Sequence, residues 1–230
     1  MGYTEKEIIS KCEEAFAEIN TFYQAEIVNY RGCTTDTREP FTEVVARYLC
    51  ERVNAFALGI PHITRKSSYK TPSHLGQYSE NSNRKEEVTA IKIYLQSKGS
   101  GSLDYVGRII DYQTPLKSTR EDVAGKIDLL SYDGNTLRLL ELKKSDSTET
   151  MLRCVLEGFT YLCTVDKKKL LEDFELPNDT KIEASPFVYK GGIQYDEMQE
   201  QRPWLFKLMT LLNSKPFYII EENGMYRVED

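Results

Sequence analysis

The chain has 230 residues, 40% hydrophobic and 29% charged, which suffices for one sizeable core without requiring a second domain. Its net charge of -6 opposes broad attraction to a polyanion and counts against a simple nucleic-acid coating protein. Five Cys without a CxxC pair, two His, no apolar run near the ~20 residues of a membrane span and no basic-then-apolar start in MGYTEKEII point to a reduced cytoplasmic protein, with no zinc site, Ser-His-Asp site or secretion signal.

Residues 4 to 30 are predicted as one helix, because Ile8, Ile9, Cys12, Phe16, Ile19, Phe22 and Tyr23 recur at helical spacing. A second helix is expected from Pro40 to Phe56, with Val44, Val45, Tyr48, Leu49 and Val53 inward and Glu43 solvated in its first turn. These helices form a packing layer or, alternatively, a homodimer interface. From Gly59 to Lys85 the chain is polar and irregular, with five basic residues against one acidic and with Tyr69, His74 and Tyr78 interleaved. Such a loop suits phosphate contact and base stacking, and equally an ordinary solvated connection.

A helix follows over 84–98, where Asn83 and Glu86 have capping-box spacing, which assigns Glu86 a structural task. Glu87 instead falls inside the apolar arc of Val88, Ile91, Tyr94 and Leu95. A carboxylate there needs a partner, and a metal ion or its water would serve. Tyr105 to Tyr112 is expected as the first strand. GKIDLLSYDGNTLRLLELKK (125–144) then reads as two strands joined by a tight turn. Alternation puts Leu137, Leu139, Glu141 and Lys143 on one face. If Gly134-Asn135 is a two-residue loop, Asp128 lies directly opposite Glu141. If Asp133-Gly134 is the loop, Glu141 is diagonal on the same face, and only an odd-length loop separates them. Facing carboxylates destabilise a strand pair by up to roughly 1 kcal/mol, and burial drives one of them towards protonation unless a cation arrives. Lys143 supplies one charge; Mg²⁺ or Mn²⁺, which accept one or two carboxylates and keep several waters, would supply more.

Beyond the hairpin, 148–164 is expected as a helix with Met151, Leu152, Val155, Leu156, Phe159 and Leu162 inward. Glu149, Arg153, Glu157 and Tyr161 line its other side, where Arg153 and Glu157 read first as an exposed i,i+4 ion pair. A Lys-rich helical tail (167–174), a strand (182–189), a helix around Trp204 and Leu208, and a hairpin turning at Asn223-Gly224 complete the chain.

Asp128, twelve intervening residues, then Glu141-Leu142-Lys143 resembles the PD-(D/E)xK nuclease superfamily, with GKIDLL and LLELKK as its signature strands. Ile127 stands where that motif has its Pro. The order helix, three strands, helix, strand is similar to the restriction-endonuclease-like core over roughly 81 to 190. The resemblance implies an α/β fold: a mixed sheet flanked by helices in the order α-β-β-β-α-β, with an added N-terminal helical segment and a C-terminal helix plus hairpin. Residues 1–80 would pack on a nuclease-like unit, 81–230, as a single compact body. It further implies a metal-dependent nuclease acting on nucleic acid, DNA before RNA. Asp128, Glu141 and the backbone carbonyl of Leu142 would hold Mg²⁺ or Mn²⁺, Lys143 would position or activate water, and Glu87 would assist through the metal or a bound water. Arg153, Glu157 and Tyr161 occupy the helix that commonly brings polar residues to the site in that superfamily. A non-catalytic nucleic-acid- or protein-binding module on the same fold is the alternative.

Overall fold

The computed structural model describes residues 2–116 and 125–230. α1 (Glu5–Phe16) begins at a capping box: the Thr4 hydroxyl accepts from the Glu7 amide, and the Glu7 carboxylate accepts from the Thr4 amide at 2.7 Å. The helix expected to run to residue 30 stops at Phe16. The Thr21 amide and hydroxyl both donate to the Glu18 carbonyl (3.0 and 3.2 Å), a local pattern that competes with α-helical bonding. Two short 3-10 helices, Ile19–Gln24 and Glu26–Asn29, follow and bury Phe22, Tyr23, Ile27 and Val28.

The second expected helix is broken in two, α2 (Phe41–Cys50) and α3 (Val53–Gly59), because Arg52 leaves helical geometry at φ -124°. That break turns Phe56 into an aromatic cluster with Phe16, Phe22 and Phe159, where it is fully buried. Glu43 is not solvated. It is 3% exposed, and its two carboxylate oxygens accept from the amides of Trp204 and Leu205, both at 2.9 Å. It thereby satisfies two donors at the start of a later helix.

α4 spans Lys85–Ser100 with Arg84 at its N-cap and no capping side chain, so the capping box expected of Asn83 and Glu86 does not form. β1 (Arg108–Pro115) starts three residues later than expected. Tyr105 and Gly107, at φ +63° and +80°, make a turn first, and a Cβ at residue 107 would collide with the Tyr132 carbonyl. β2 (Lys126–Tyr132) and β3 (Thr136–Leu142) form the hairpin. α5 (Met151–Thr164), α6 (Lys167–Asp173) and β4 (Lys181–Tyr189) follow. α7 (Ile193–Gln199) is a short helix that no periodicity announced; α8 (Pro203–Leu211), β5 (Phe217–Glu222) and β6 (Met225–Glu229) end the chain.

The six strands form one mixed sheet in sequence order. β1, β2 and β3 are antiparallel neighbours, β3–β4 and β4–β5 are parallel, and β5–β6 is an antiparallel hairpin. One apolar layer joins Leu137 and Leu139 to α5, α8 and the N-terminal helices; the other joins Leu129, Leu140 and Leu142 to α4 and the terminal hairpin. The protein is thus α/β, a mixed sheet with helices on both faces. All five cysteines are unpaired. Among the described residues no helix is long and apolar enough to cross a membrane.

Candidate active site

The β2–β3 register is fixed at the turn. Leu129 pairs with Leu140, Leu130 with Leu139 and Tyr132 with Leu137, so Gly134-Asn135 is the two-residue loop. Continuing that register places Asp128 opposite Glu141, on the same face. The backbone ladder ends at Leu129–Leu140, and beyond it Asp128 Oδ2 accepts from the Leu142 amide at 3.0 Å. On its other side, Tyr112–Leu129 and Thr114–Ile127 pairing sets Gln113 opposite Asp128, and Gln113 Nε2 donates to Asp128 Oδ1 at 2.8 Å.

Glu141 and Lys143 lie behind this carboxylate, 4% and 5% exposed. Lys143 Nζ sits 2.7 Å from Glu141, 2.9 Å from Glu149 and 3.1 Å from Glu157. α5, which supplies Glu157, packs with Gly158 against Glu141 and Ala184. Tyr161 Oη donates to Glu157 at 3.0 Å, while Arg153 Nε lies 3.6 Å from Glu149 and 3.9 Å from Glu157. Arg153 and Glu157 are therefore not an exposed pair. Both are largely buried, Tyr161 is buried beside them, and Lys143 is the hub that joins Glu141 of β3 to Glu149 and to Glu157 of α5.

Four carboxylates (Asp128, Glu141, Glu149, Glu157) meet two cations (Lys143, Arg153), and the imbalance shows in their protonation. Burial pushes Asp128 up to about 7, with Lys143 pulling the other way. Burial, then repulsion from Glu157, raises Glu141 well above the usual carboxylate range. Glu157 is buried too, yet Lys143 and Arg153 hold it below that range. Burial alone would lower Lys143, but attraction led by Glu141 reverses the sign and raises it.

Over Asp128 opens a cleft of about 450 Å³. Half-buried Glu86, Glu87 and Gln113 line it with Asp128, and Arg84, Lys85, Lys126 and Lys144 stand around them. Glu141 and Lys143 do not line it. The Glu86 carboxylate accepts from the Lys144 amide at 3.3 Å, tying the start of α4 to the end of β3, whereas Glu87 pairs with Arg84 at 3.3 Å. The basic loop is largely spent on itself. The Arg65 guanidinium donates to the carbonyls of Ser67, Ser68 and Pro115, Tyr69 is fully buried, and His74 Nδ1 meets Asp111 at 2.7 Å. Of its aromatic residues, Tyr78 keeps an exposed ring.

Among the described residues no three His, Cys, Asp or Glu side chains converge as a metal cage. The donors that suit a hard cation are the carboxyl oxygens of the facing pair Asp128 and Glu141, of the kind Mg²⁺ takes with several waters. Glu86 and Gln113 escaped sequence reasoning. Glu86 approaches end-on from the first turn of α4, which a helical wheel does not register, and the one signal for Gln113 is a polar side chain in an otherwise β-like run. No family model matches the chain, and no curated protein or solved structure matches it either.

Proposed function

We propose that this protein is a metal-dependent nuclease with a restriction-endonuclease-like core, hydrolysing phosphodiester bonds in DNA. The observation that carries it is Asp128, opposite Glu141 and backed by Lys143, in a cleft surrounded by four basic side chains. The order α4, β1, β2, β3, α5, β4, with only the short α6 added before β4, supports the same reading. Asp128, Glu141 and the Leu142 carbonyl would hold Mg²⁺ or Mn²⁺, with Glu87 assisting through water. When bound, the ion supplies Lewis acidity and an activated water. The basic side chains around the cleft hold the substrate phosphates, and Lys143, bonded to Glu141 at 2.7 Å, offsets part of the negative charge gathered behind Asp128. Phosphoryl transfer asks for positioning and charge stabilisation rather than covalent work, which is what this arrangement can provide.

A binding-only module is the second reading, favoured by one observation: Lys143 does not line the cleft. Incubating the purified protein with short DNA duplexes and single strands, with and without Mn²⁺, separates the two. The expected result is metal-dependent cleavage that Asp128→Asn lowers by at least about a hundredfold while the circular dichroism spectrum is retained. Cleavage that Asp128→Asn leaves untouched would overturn the nuclease proposal, and absence of cleavage by the wild type with intact DNA binding would favour the binding module.

A further inference from the structure

Gln113 has φ +48°, the one non-glycine residue with positive φ inside a strand among those described. A residue with a Cβ disfavours that conformation, and the β1–β2 ladder steps over Gln113, from Tyr112–Leu129 to Thr114–Ile127. The β-bulge of β1 lies between Ile109 and Asp111, and from Asp111 to Pro115 the offset against β2 is constant. The neighbours of Gln113 are clamped. Asp111 accepts from the Thr114 hydroxyl at 2.7 Å and bonds His74, and Tyr112 Oη accepts from the Gly76 amide at 3.0 Å. Surroundings of this kind hold a strained residue in place, and such strain gathers at functional sites.

What the conformation achieves is visible in the side chain. Opposite residues of an extended pair stand side by side, roughly perpendicular to the sheet. Here the Gln113 amide reaches Asp128 Oδ1 at 2.8 Å while the Leu142 amide holds Oδ2 at 3.0 Å. Both donors are neutral. They fix the plane of the carboxylate without cancelling its charge, and each oxygen keeps a lone pair for a further partner.

We infer that Gln113 is a positioning residue that preorganises the Asp128 carboxylate for a divalent cation. For the identity of that ligand, the inference rests on the nuclease reading. Partners that orient a metal-binding carboxylate typically change metal affinity 10–100-fold when removed. The test is calorimetric titration of Mn²⁺ into the wild type, Asp128→Asn, Gln113→Gly and Gln113→Met, with thermal melting of each metal-free protein. Glycine accepts the positive φ, so Gln113→Gly is expected to fold and to melt no lower than the wild type. Gln113→Met keeps the length of the side chain and loses the donor. Both are expected to bind Mn²⁺ about tenfold or more weakly than the wild type. A purely structural role predicts the reverse, a shifted melting temperature with Mn²⁺ affinity unchanged. Wild-type binding that both Gln113 variants match within twofold overturns the assignment of Gln113 and leaves the nuclease proposal standing. Absence of Asp128-dependent Mn²⁺ binding in the wild type overturns both.

Discussion

Lys143 is held by Glu141, Glu149 and Glu157 at 2.7–3.1 Å and is almost wholly buried, which makes its removal a poor probe of catalysis. Lys143→Ala would strand buried Glu141 and largely buried Glu157, a change that typically costs about 3–5 kcal/mol. Urea denaturation is expected to read that loss, and a variant within 1 kcal/mol of wild type, about the worth of an exposed ion pair, would mean the hub is not formed. Asp128→Asn acts in the opposite direction. It removes a charge from a group that burial already pushes up to about 7, so the metal-free variant should melt at or above the wild type while cleavage is lost. Glu43→Ala probes a residue remote from the cleft. It leaves the buried amides of Trp204 and Leu205 without acceptors, for a cost of about 2–3 kcal/mol and no change in Mn²⁺ affinity. Of these residues, Asp128 and Glu141 were legible in the sequence because either two-residue turn puts them on one face, and Lys143 because alternation puts it on the face of Glu141. Glu43 was not, since its partners lie 161 and 162 residues away along the chain.

Elements defined by local chemistry came through the sequence well. The two hairpins turn at Gly134-Asn135 and Asn223-Gly224, the latter with φ +53° and +74° as a primed turn requires. Elements bounded by distant packing did not. α2 and α3 look continuous in periodicity, and the break between them serves Phe56, whose partners Phe16, Phe22 and Phe159 come from three other segments. The β2–β3 turn is itself testable. Asp133 accepts from the amides of Asn135 and Thr136 and pairs with Arg138 at 2.6 Å. Burial would raise its carboxyl, but the bonds from Arg138, Thr136 and Asn135 outweigh that and hold it below the usual value. A carboxyl with a lowered native pKa contributes stability above its unfolded pKa, and that contribution is lost as pH falls through the native value. Asp133→Asn keeps an acceptor for the turn and loses the charge. It should therefore cost about 1 kcal/mol near pH 7, with the gap to the wild type closing below about pH 4. A gap that persists unchanged to pH 2 would show that charge is not what Asp133 contributes.

At the scale of the whole molecule, a protein of charge -6 presents a basic-edged cleft at Asp128. Composition pointed to the loop before α4 as the basic feature, but Arg65 is buried in backbone bonds, and Lys70 pairs with Glu175 at 2.7 Å. The cleft itself offers a polyanion Arg84 and Lys85, from the end of that loop and the start of α4, with Lys126 and Lys144 from the two ends of the hairpin. On the proposed function this limits the electrostatic footprint. Each neutralised phosphate contributes about -0.9 to the slope of log K against log salt on duplex DNA, so four cations set a ceiling near -3.6. Asp128→Asn, expected on that function to bind without cutting, is the protein in which to measure it, by fluorescence anisotropy over a KCl series. Adding Lys126→Glu and Lys144→Glu is expected to weaken binding and flatten the slope by about two. Mn²⁺ affinity, measured with residue 128 left as Asp, should stay close to that of the wild type, because neither lysine contacts the Asp128 carboxylate. A slope far steeper than the ceiling, or one indifferent to both lysines, would place the nucleic acid on some other surface and detach the cleft from the function assigned to it.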